Sequence, residues 1–209
     1  MYTYEELKEF VDHCTRCELC KTRNHPVMGK GDLSSPILFI AEAPGKNEDR
    51  DGIPFTGRSG ELFDRLLSEI GMKREEIYLT NIVKCHPPNN RDPKQEEQES
   101  CIPYLKYETV LLRPKMIVCL GRIAAQRIIR PDYRITREHG TFLERKGVWL
   151  TGVFHPSAAL RDETKLPPMQ EDFLEDKGEA GYLCLGRVQE LLAPAFRRGK
   201  QHFLEKVRT

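Results

Sequence analysis

The sequence predicts an α/β fold in which helices cover both faces of a mainly parallel, four-stranded sheet. Short apolar runs alternate along the chain with segments that carry apolar residues at helical spacing, and this alternation is typical of parallel sheets. The chain has 209 residues, of which 39% are hydrophobic and 31% charged. This length and composition favour one globular domain over residues 1–209 and exclude a disordered chain.

Four apolar runs rich in branched side chains are the predicted strands. Short runs of this kind are typical of strands that are buried on both faces of a parallel sheet. In chain order, the predicted strands are Ile37–Ala41, Ile77–Ile82, Met116–Leu120 and Trp149–Phe154.

Three segments between these runs show helical spacing. In the first, apolar residues recur every three or four positions until Gly71, and the second lies between Pro93 and Pro114. Glycine and proline are typical of helix ends. The predicted helices are Ser59–Ile70, Gln95–Leu112 and Arg122–Ile129.

The last quarter of the chain has a different character. Residues 162–181 are polar and contain a Pro-Pro pair, so we expect an irregular insertion there, followed by a helical tail at residues 185–209. Residues 171–179 are mostly acidic and the segment from Arg197 is basic, although the net charge of the whole chain is +1. Such a balance neither requires nor excludes binding to nucleic acid.

The sequence indicates a cytoplasmic protein without a membrane anchor. No apolar run approaches the roughly 20 residues that cross a bilayer. The N-terminal residues also lack the basic and apolar segments of a secretion signal. In the reducing cytosol, the seven cysteines are expected to bind metal or to be buried as thiols, because disulfides are rare there.

Four of the cysteines are predicted to form a metal site. Cys14 and Cys17 have the spacing of a two-thiolate claw, and Cys85 and Cys101 can supply a second pair. Four thiolates suit either zinc or an iron–sulfur cluster, and spacing alone does not choose between them. Cys20 is an alternative ligand.

Polar and small residues follow the predicted strands at their carboxyl ends, where the binding and catalytic residues of parallel sheets are usually found. The loop after the first strand has small residues, which let backbone amides approach a ligand, and a phenylalanine suited to stacking. An asparagine in the second strand presents both a donor and an acceptor, as a pyrimidine edge requires. A histidine follows the fourth strand. The candidates are Glu42, Ala43, Gly45, Glu48, Phe55, Asn81 and His155.

Several short motifs occur in one order along the chain: C-x2-C, AEAPG, PFTG, TNIVKCHPP and FHPS. With these motifs in this order, the chain resembles the iron–sulfur uracil-DNA glycosylases, the fourth family of the uracil-DNA glycosylase superfamily. The resemblance extends from about Cys14 to Arg161. The resemblance implies a three-layer α/β/α sandwich and removal of uracil from DNA to leave an abasic site. It also implies a [4Fe–4S] cluster on Cys14, Cys17, Cys85 and Cys101.

The resemblance implies roles for three of the loop residues in reading the base. A base inside duplex DNA must be flipped out before its glycosidic bond can be reached. Phe55 would then stack on the uracil, and Asn81 would read its O4 and N3 edge. His155 would donate to O2, where negative charge collects as the base leaves.

Further roles follow from the same resemblance. Glu42 would place the attacking water. Glu48 would border the C5 side of the base and help to exclude thymine, and Ala43 and Gly45 would approach the base with their backbone. For the contacts with DNA, the resemblance implies that Leu160 is the wedge that fills the gap left by the flipped base. It also implies that Arg161 contacts a phosphate.

The chain departs from the family at Ala41, where glycine is usual, and after Arg161, where relatives often have a basic segment leading to a Trp-containing helix. Two alternatives stay open. One is a non-catalytic iron–sulfur protein of the same fold that binds nucleic acid or transfers electrons. The other is a relative that acts on other deaminated bases or forms a covalent DNA adduct, which would require a reactive His86. The expected partner is uracil-containing DNA, single- or double-stranded, bound by a monomer; the sequence identifies no partner protein such as a replication clamp.

Overall fold

A computed structural model gives the structure of residues 2–174. The predicted helical tail at residues 185–209 lies outside this range, as does most of the acidic stretch. Within residues 2–174, no helix combines the length and the apolar character that a membrane crossing requires.

Six strands form one mixed sheet. They are β1 (Lys30–Gly31), β2 (Ile37–Ala41), β3 (Tyr78–Asn81), β4 (Met116–Leu120), β5 (Phe142–Arg145) and β6 (Val148–Val153), in the order β1-β3-β2-β4-β6-β5. The four inner strands are parallel and confirm the predicted ones to within one residue at each end. The predicted strand count is wrong, because a short antiparallel strand lies at each edge.

Neither edge strand has the sequence of a buried strand. Strand β1 has two exposed residues, and in β5 only Phe142 is buried while the other three residues are exposed. An edge strand needs no continuous apolar run because one of its sides faces solvent. This is why the sequence indicated the four inner strands alone.

Helices lie around the sheet, as the predicted α/β sandwich requires. The described α-helices are α1 (Tyr4–Asp12), α2 (Lys46–Asp51), α3 (Arg58–Glu69), α4 (Gln95–Leu112), α5 (Arg122–Ile128), α6 (Ile135–Glu138), α7 (Pro156–Arg161) and α8 (Leu166–Leu174). Helices α3, α4 and α5 confirm the three predicted helices. The apolar stripe of α3 is buried against the core, as its spacing predicts.

The expectation of an irregular insertion from residue 162 is wrong for its described part. Residues Glu163–Lys165 form a 3-10 turn, and α8 follows directly. Met169 and Phe173 are four residues apart and both are buried in the core, so they give α8 an apolar face. The Pro-Pro pair lies in the first turn, where a missing backbone N–H breaks no intrahelical hydrogen bond.

The register of the inner strands brings the predicted loops to one edge of the sheet. Ala41 pairs with Asn81, and the ladder continues as the N–H of Ile82 donates to the Ala41 carbonyl at 2.9 Å. On the other side, Leu120 pairs with Val153. The loops that follow β2, β3, β4 and β6 therefore leave the sheet side by side.

Candidate active site and cysteine cavity

Asn81 ends β3 with its side chain buried, 1% exposed. Neither its Nδ2 nor its Oδ1 has a hydrogen-bond partner within the described part of the chain. A buried amide without partners costs free energy, of the order of 1–3 kcal/mol for each unpaired group. An asparagine kept in this state at a strand end is available to a ligand that offers one acceptor and one donor.

Phe55 lies between two other rings. Its ring centroid is 5.2 Å from that of Phe63 and 5.5 Å from that of His155. The backbone of Phe55 has a φ of +57°, a conformation that bulky residues rarely adopt. The surrounding structure must therefore hold Phe55 in place.

Glu48 is buried in α2 and directs its carboxylate at the backbone of its own loop. Oε1 accepts from the Phe55 N–H at 2.7 Å, and Oε2 accepts from the Gly45 N–H at 2.6 Å. Burial raises the pKa of Glu48, and the two amide hydrogen bonds oppose this shift. Because both oxygens bind backbone, Glu48 fixes the shape of the loop that carries Gly45 and Phe55. Ala43, in the same loop, is partly buried against the core.

His155 is the N-cap of α7. Its Nδ1 accepts from the backbone N–H of Ser157 at 3.0 Å and lies 2.8 Å from the Ser157 hydroxyl. Burial, with a smaller contribution from Arg161, lowers the pKa of His155 to about 4. The imidazole is therefore neutral at physiological pH, and its one N–H is on Nε2, where it can donate to a ligand.

Glu42 follows β2 at the same sheet edge and is partly buried. Burial and the neighbouring Asp92 carboxylate raise the pKa of Glu42 to about 7, against the opposing charges of Arg122 and Arg161. Asp92 in turn forms an ion pair with Arg122, with Oδ2 and Nη2 2.6 Å apart. A carboxyl that titrates near neutrality can hold or accept a proton during a reaction.

Helix α7 also carries the two residues expected to contact DNA. Leu160 is partly buried against the core, and Arg161, the last residue of α7, is exposed. Both follow His155 on the same short helix, whose N-cap is His155.

The structure brings the four predicted metal-binding cysteines together. Cys14, Cys17, Cys85 and Cys101 line one cavity, and Cys20 lines it too. They come from three separate segments: the turn after α1, the loop after β3, and the first half of α4.

Two hydrogen-bond donors point at the sulfurs of the buried thiols. The guanidinium of Arg23 donates to Cys85 Sγ at 3.1 Å, and the backbone N–H of Lys84 donates to Cys101 Sγ at 3.2 Å. Burial raises the pKa of Cys101 to about 12, and the charge of Lys84 opposes the shift. Donors aimed at sulfur suit a site that holds thiolates.

These cysteines fit an iron–sulfur cluster. A [4Fe–4S] cluster binds each of its thiolates to a different iron, so its ligands surround a cavity instead of meeting at one point. Five thiols line this cavity, and the four predicted ligands among them, two of which accept hydrogen bonds, match that requirement.

A buried polar network connects the cysteine cavity to Asn81. Lys84 Nζ donates to Glu108 Oε2 at 2.6 Å, to Thr80 Oγ1 at 2.6 Å and to the Asn81 carbonyl at 2.9 Å. The Lys84 and Glu108 side chains are 2% and 0% exposed. Since the backbone N–H of Lys84 bonds to Cys101, one residue contacts both sites.

Several residues of the site were missed in the sequence. Asp92, Arg122, Lys84 and Glu108 lie in or beside the quoted motifs or in a predicted helix, but no spacing distinguishes them from exposed charges. The one available signal is Lys84, a charged residue that directly follows an apolar stretch in TNIVKC. Its burial requires a partner, and the partner is on α4, 24 residues away.

Comparison with known proteins gives the family. The sequence model of the uracil-DNA glycosylase superfamily matches residues 28–177. The type-4 uracil-DNA glycosylase of Archaeoglobus fulgidus is 38% identical over 92% of this chain and 98% of its own, and that of Thermotoga maritima is 41% identical over 78% and 88%. A type-5 uracil-DNA glycosylase of Pyrobaculum aerophilum is 30% identical over 63% and 66%.

The expectation that the similarity ends near Arg161 is wrong. The match to the family model continues to residue 177, through α8, whose apolar face packs against the core. The described part of this segment, up to Leu174, therefore lies within the region shared with the family. The chain belongs to the uracil-DNA glycosylase superfamily.

Proposed function

We propose that this protein is a uracil-DNA glycosylase, which hydrolyses the N-glycosidic bond of uracil in DNA and leaves an abasic site for repair. The observation that carries the proposal is the buried Asn81 side chain, whose amide has no hydrogen-bond partner in the described structure. It lies at the strand-end edge that also carries Phe55 and His155, and the similarity to type-4 uracil-DNA glycosylases supports the same activity.

In this proposal the pocket recognises a base that has been flipped out of the DNA. The Phe55 ring stacks on the base, and the Asn81 amide donates to O4 and accepts from N3–H. Cytosine presents the reverse pattern at these positions, so it leaves the Asn81 groups unpaired. Rejection through unpaired buried groups is strong, because the wrong base loses hydrogen bonds that water would have provided.

His155 stabilises the departing base. As the glycosidic bond breaks, positive charge develops on the sugar and negative charge on uracil. A neutral imidazole with its proton on Nε2 donates to O2 and stabilises that anion without protonating it. The hydrogen bond from Ser157 to Nδ1 fixes the required tautomer.

Glu42 orients the water that attacks the sugar, and its carboxylate accepts a proton from that water. Glu48 acts on the pocket through the loop that it holds. With both oxygens on the Gly45 and Phe55 amides, it keeps the Gly45 and Ala43 backbone close to the C5 side of the base, which leaves no room for thymine's methyl group, and it supports the Phe55 ring against the face of the base.

On the DNA, Leu160 fills the gap left by the flipped base and Arg161 contacts a backbone phosphate. Both single- and double-stranded DNA containing uracil are substrates in this proposal, since the base is read outside the helix. We further propose that the enzyme acts as a monomer in the cytoplasm, where it meets chromosomal DNA.

Cys14, Cys17, Cys85 and Cys101 would hold a [4Fe–4S] cluster. When bound, such a cluster joins chain segments that are distant in sequence and is also capable of one-electron chemistry. Cys85 lies four residues after Asn81, so these ligands would anchor the loop that follows the base-reading residue. The proposed role of the cluster is therefore structural.

The test is cleavage of a labelled oligonucleotide that contains one uracil, treated with alkali after incubation and resolved on a gel. Uracil DNA should be cut at the modified position, and matched oligonucleotides with cytosine or thymine should stay intact. Asn81→Ala should be inactive and still folded. Binding of the DNA without any base release would overturn the proposal in favour of the non-catalytic alternative.

The covalent alternative is tested on the same gel. His86 is already engaged, with Nε2 2.9 Å from Asn90 Oδ1, so we expect no adduct. A protein–DNA band that survives denaturation, and that is lost in His86→Ala, would replace hydrolysis by covalent capture.

A further inference from the structure

Arg74 lies in a 3-10 turn between α3 and β3 (Arg74–Glu76) and directs its guanidinium at the loop that carries Phe55. Nη1 donates to the Phe55 carbonyl at 2.8 Å and to the Pro54 carbonyl at 3.3 Å, and Nη2 donates to the Gly60 carbonyl at 3.0 Å. Nε forms an ion pair with Asp64 Oδ1 at 2.6 Å. One planar side chain therefore bridges the aromatic loop and the first turns of α3.

The two backbone polar groups of Phe55 are held by opposite charges. Its N–H donates to Glu48 at 2.7 Å, and its carbonyl accepts from Arg74 at 2.8 Å. The N–H and carbonyl directions of a residue follow from its backbone torsions, so fixing both groups fixes the conformation. Phe55 needs this support because its φ is +57°, where an aromatic residue is rarely found.

Helix α3 lies unusually close to the Phe55 backbone. A Cβ at Gly60 would lie 1.8 Å from the Phe55 carbonyl oxygen, so only glycine lets α3 approach this carbonyl so closely. The Arg74 guanidinium also lies over the Phe63 ring, 5.8 Å from its centroid, and Phe63 packs against Phe55. Arg74 thus supports both the backbone and the back of the Phe55 ring.

We propose that Arg74 is a positioning residue for uracil excision, which holds the Phe55 ring in the orientation that stacks on the flipped base. The inference rests on the proposed function and adds a residue outside the strand-end loops that form the pocket. Arg74 acts through Phe55 and touches neither the base nor the sugar. A purely structural Arg74 would stabilise α3 without affecting how the pocket treats its base.

The test is a double-mutant cycle on single-turnover uracil release, with Arg74→Met, Phe55→Ala and both together. Arg74→Met should slow release on the order of 10- to 100-fold, as misplaced groups near a reaction do. The double variant should be no slower than Phe55→Ala, because without the ring there is nothing left to position. Arg145→Met is the control: Arg145 Nη2 donates to the Ile129 carbonyl at 2.7 Å, away from the site, and its loss should leave the rate unchanged.

A rate in Arg74→Met equal to that of the wild type, or a loss fully additive to that of Phe55→Ala, would overturn the inference. Arg74→Lys guards against misfolding, because lysine keeps the charge but lacks the planar fork that binds several carbonyls. In this variant, amide hydrogen exchange at Phe55 should be faster than in the wild type, and unchanged exchange would count against the inference. A failure of the proposed function is distinguishable, because the wild-type protein would then release no uracil. In that case the exchange measurement still decides whether Arg74 holds the Phe55 backbone in place.

Discussion

The backbone N–H of Ser157 donates to Nδ1 of His155 at 3.0 Å. This hydrogen bond requires an unprotonated Nδ1, so the neutral ring carries its proton on Nε2. With the pKa of His155 lowered to about 4 by burial, the imidazole keeps this form throughout the pH range in which DNA repair takes place. The residue is thus prepared to donate a hydrogen bond and not to deliver a proton.

His155→Ala should cut single-turnover release of uracil steeply, on the order of 100- to 1000-fold, as loss of one donor to a developing oxyanion does. It should cut release of 5-fluorouracil less, because fluorine makes that base a better leaving group that depends less on the donor. Enzyme in excess over DNA excludes product release from the measurement. Equal losses for the two bases would make His155 structural.

Glu42→Ala provides the contrast. If Glu42 places the water, its loss removes an interaction with the nucleophile, which is the same for both bases. The rates for uracil and 5-fluorouracil should then fall by similar factors under the same single-turnover conditions. A loss confined to uracil would assign Glu42 to the leaving group.

The rate should depend on pH through Glu42, whose pKa is raised to about 7. The carboxyl accepts a proton only when ionised, so activity should rise as pH increases through about 7. Asp92→Asn removes the like charge and releases Arg122, and both effects lower the pKa of Glu42, so the rise should move to lower pH. Arg122→Met removes an opposing positive charge and should move the rise to higher pH. Identical profiles in all three proteins would exclude Glu42 as the base.

The same pKa shift has a consequence for stability. A carboxyl whose pKa is raised on folding binds its proton more tightly in the folded state. The resulting stabilisation is present below the unfolded pKa of 4.5 and is lost as pH rises towards the folded value of about 7. Glu42→Gln, which is always neutral, should therefore be more stable than the wild type above pH 7 in denaturant titrations, and should lose that advantage in acid.

Asn81→Ala should separate function from stability. The Asn81 amide has no protein partner within residues 2–174, so its removal breaks no hydrogen bond there and relieves the cost of burying two unpaired polar groups; the free energy of unfolding should therefore not fall, and should rise by up to about 1–3 kcal/mol. Uracil release should nevertheless be lost. A variant that is much less stable and still active would place Asn81 in the core instead of the pocket. Asn81→Asp should also lose most uracil release, because an ionised carboxylate has no donor for O4.

The inner strands and three helices could be predicted because burial imposes a recognisable pattern of apolar residues on them, continuous in the strands and periodic in the helices. Ile37–Ala41 is buried at every position, so its continuous apolar run indicates a strand in the interior of the sheet. Helix α8 was missed because its nine residues include two prolines and two acidic residues, while its two buried apolar residues, Met169 and Phe173, are too few to form a visible stripe.

The site was predictable only where a residue type is itself informative. Asn81, His155 and the cysteine claw stand out because each lies within a recognisable motif. The role of Arg74 could not be predicted, since its function depends on backbone carbonyls at Phe55 and Gly60. Any sequence offers such carbonyls at every position, so only the fold shows which ones an arginine reaches.

Binding of iron should depend on the cysteines that line the cavity and not on cysteines elsewhere. Cys85→Ser should lose bound iron and solubility together, because a serine hydroxyl is a poor substitute for thiolate at an iron–sulfur site. Cys119, buried within β4, is the matched control, and Cys119→Ser should keep its iron. The measurement is iron per chain together with the visible absorbance of the purified protein. A colourless, active wild-type protein with one zinc would contradict the cluster.

Removing one partner of the buried ion pair between Lys84 and Glu108 should cost far more stability than removing one partner of an exposed pair of the same length. Lys84 Nζ and Glu108 Oε2 are 2.6 Å apart with side chains 2% and 0% exposed. Lys84→Met leaves the Glu108 carboxylate buried without its cation, which typically costs about 3–5 kcal/mol. Lys8 and Asp12 provide the control, since they are also 2.6 Å apart but 46% and 36% exposed, and Lys8→Met should cost no more than about 0.5 kcal/mol.

The same variant also tests the connection between the two sites. Lys84 Nζ donates to the Asn81 carbonyl, while the backbone N–H that donates to Cys101 is unaffected by a change of side chain. Lys84→Met should therefore keep its iron, if it folds, and still release uracil more slowly than Lys8→Met. Urea unfolding measures the stability of each variant, iron per chain measures its cluster content, and single-turnover release measures its rate. Loss of stability with an unchanged rate would show that the network supports the fold alone and does not position Asn81.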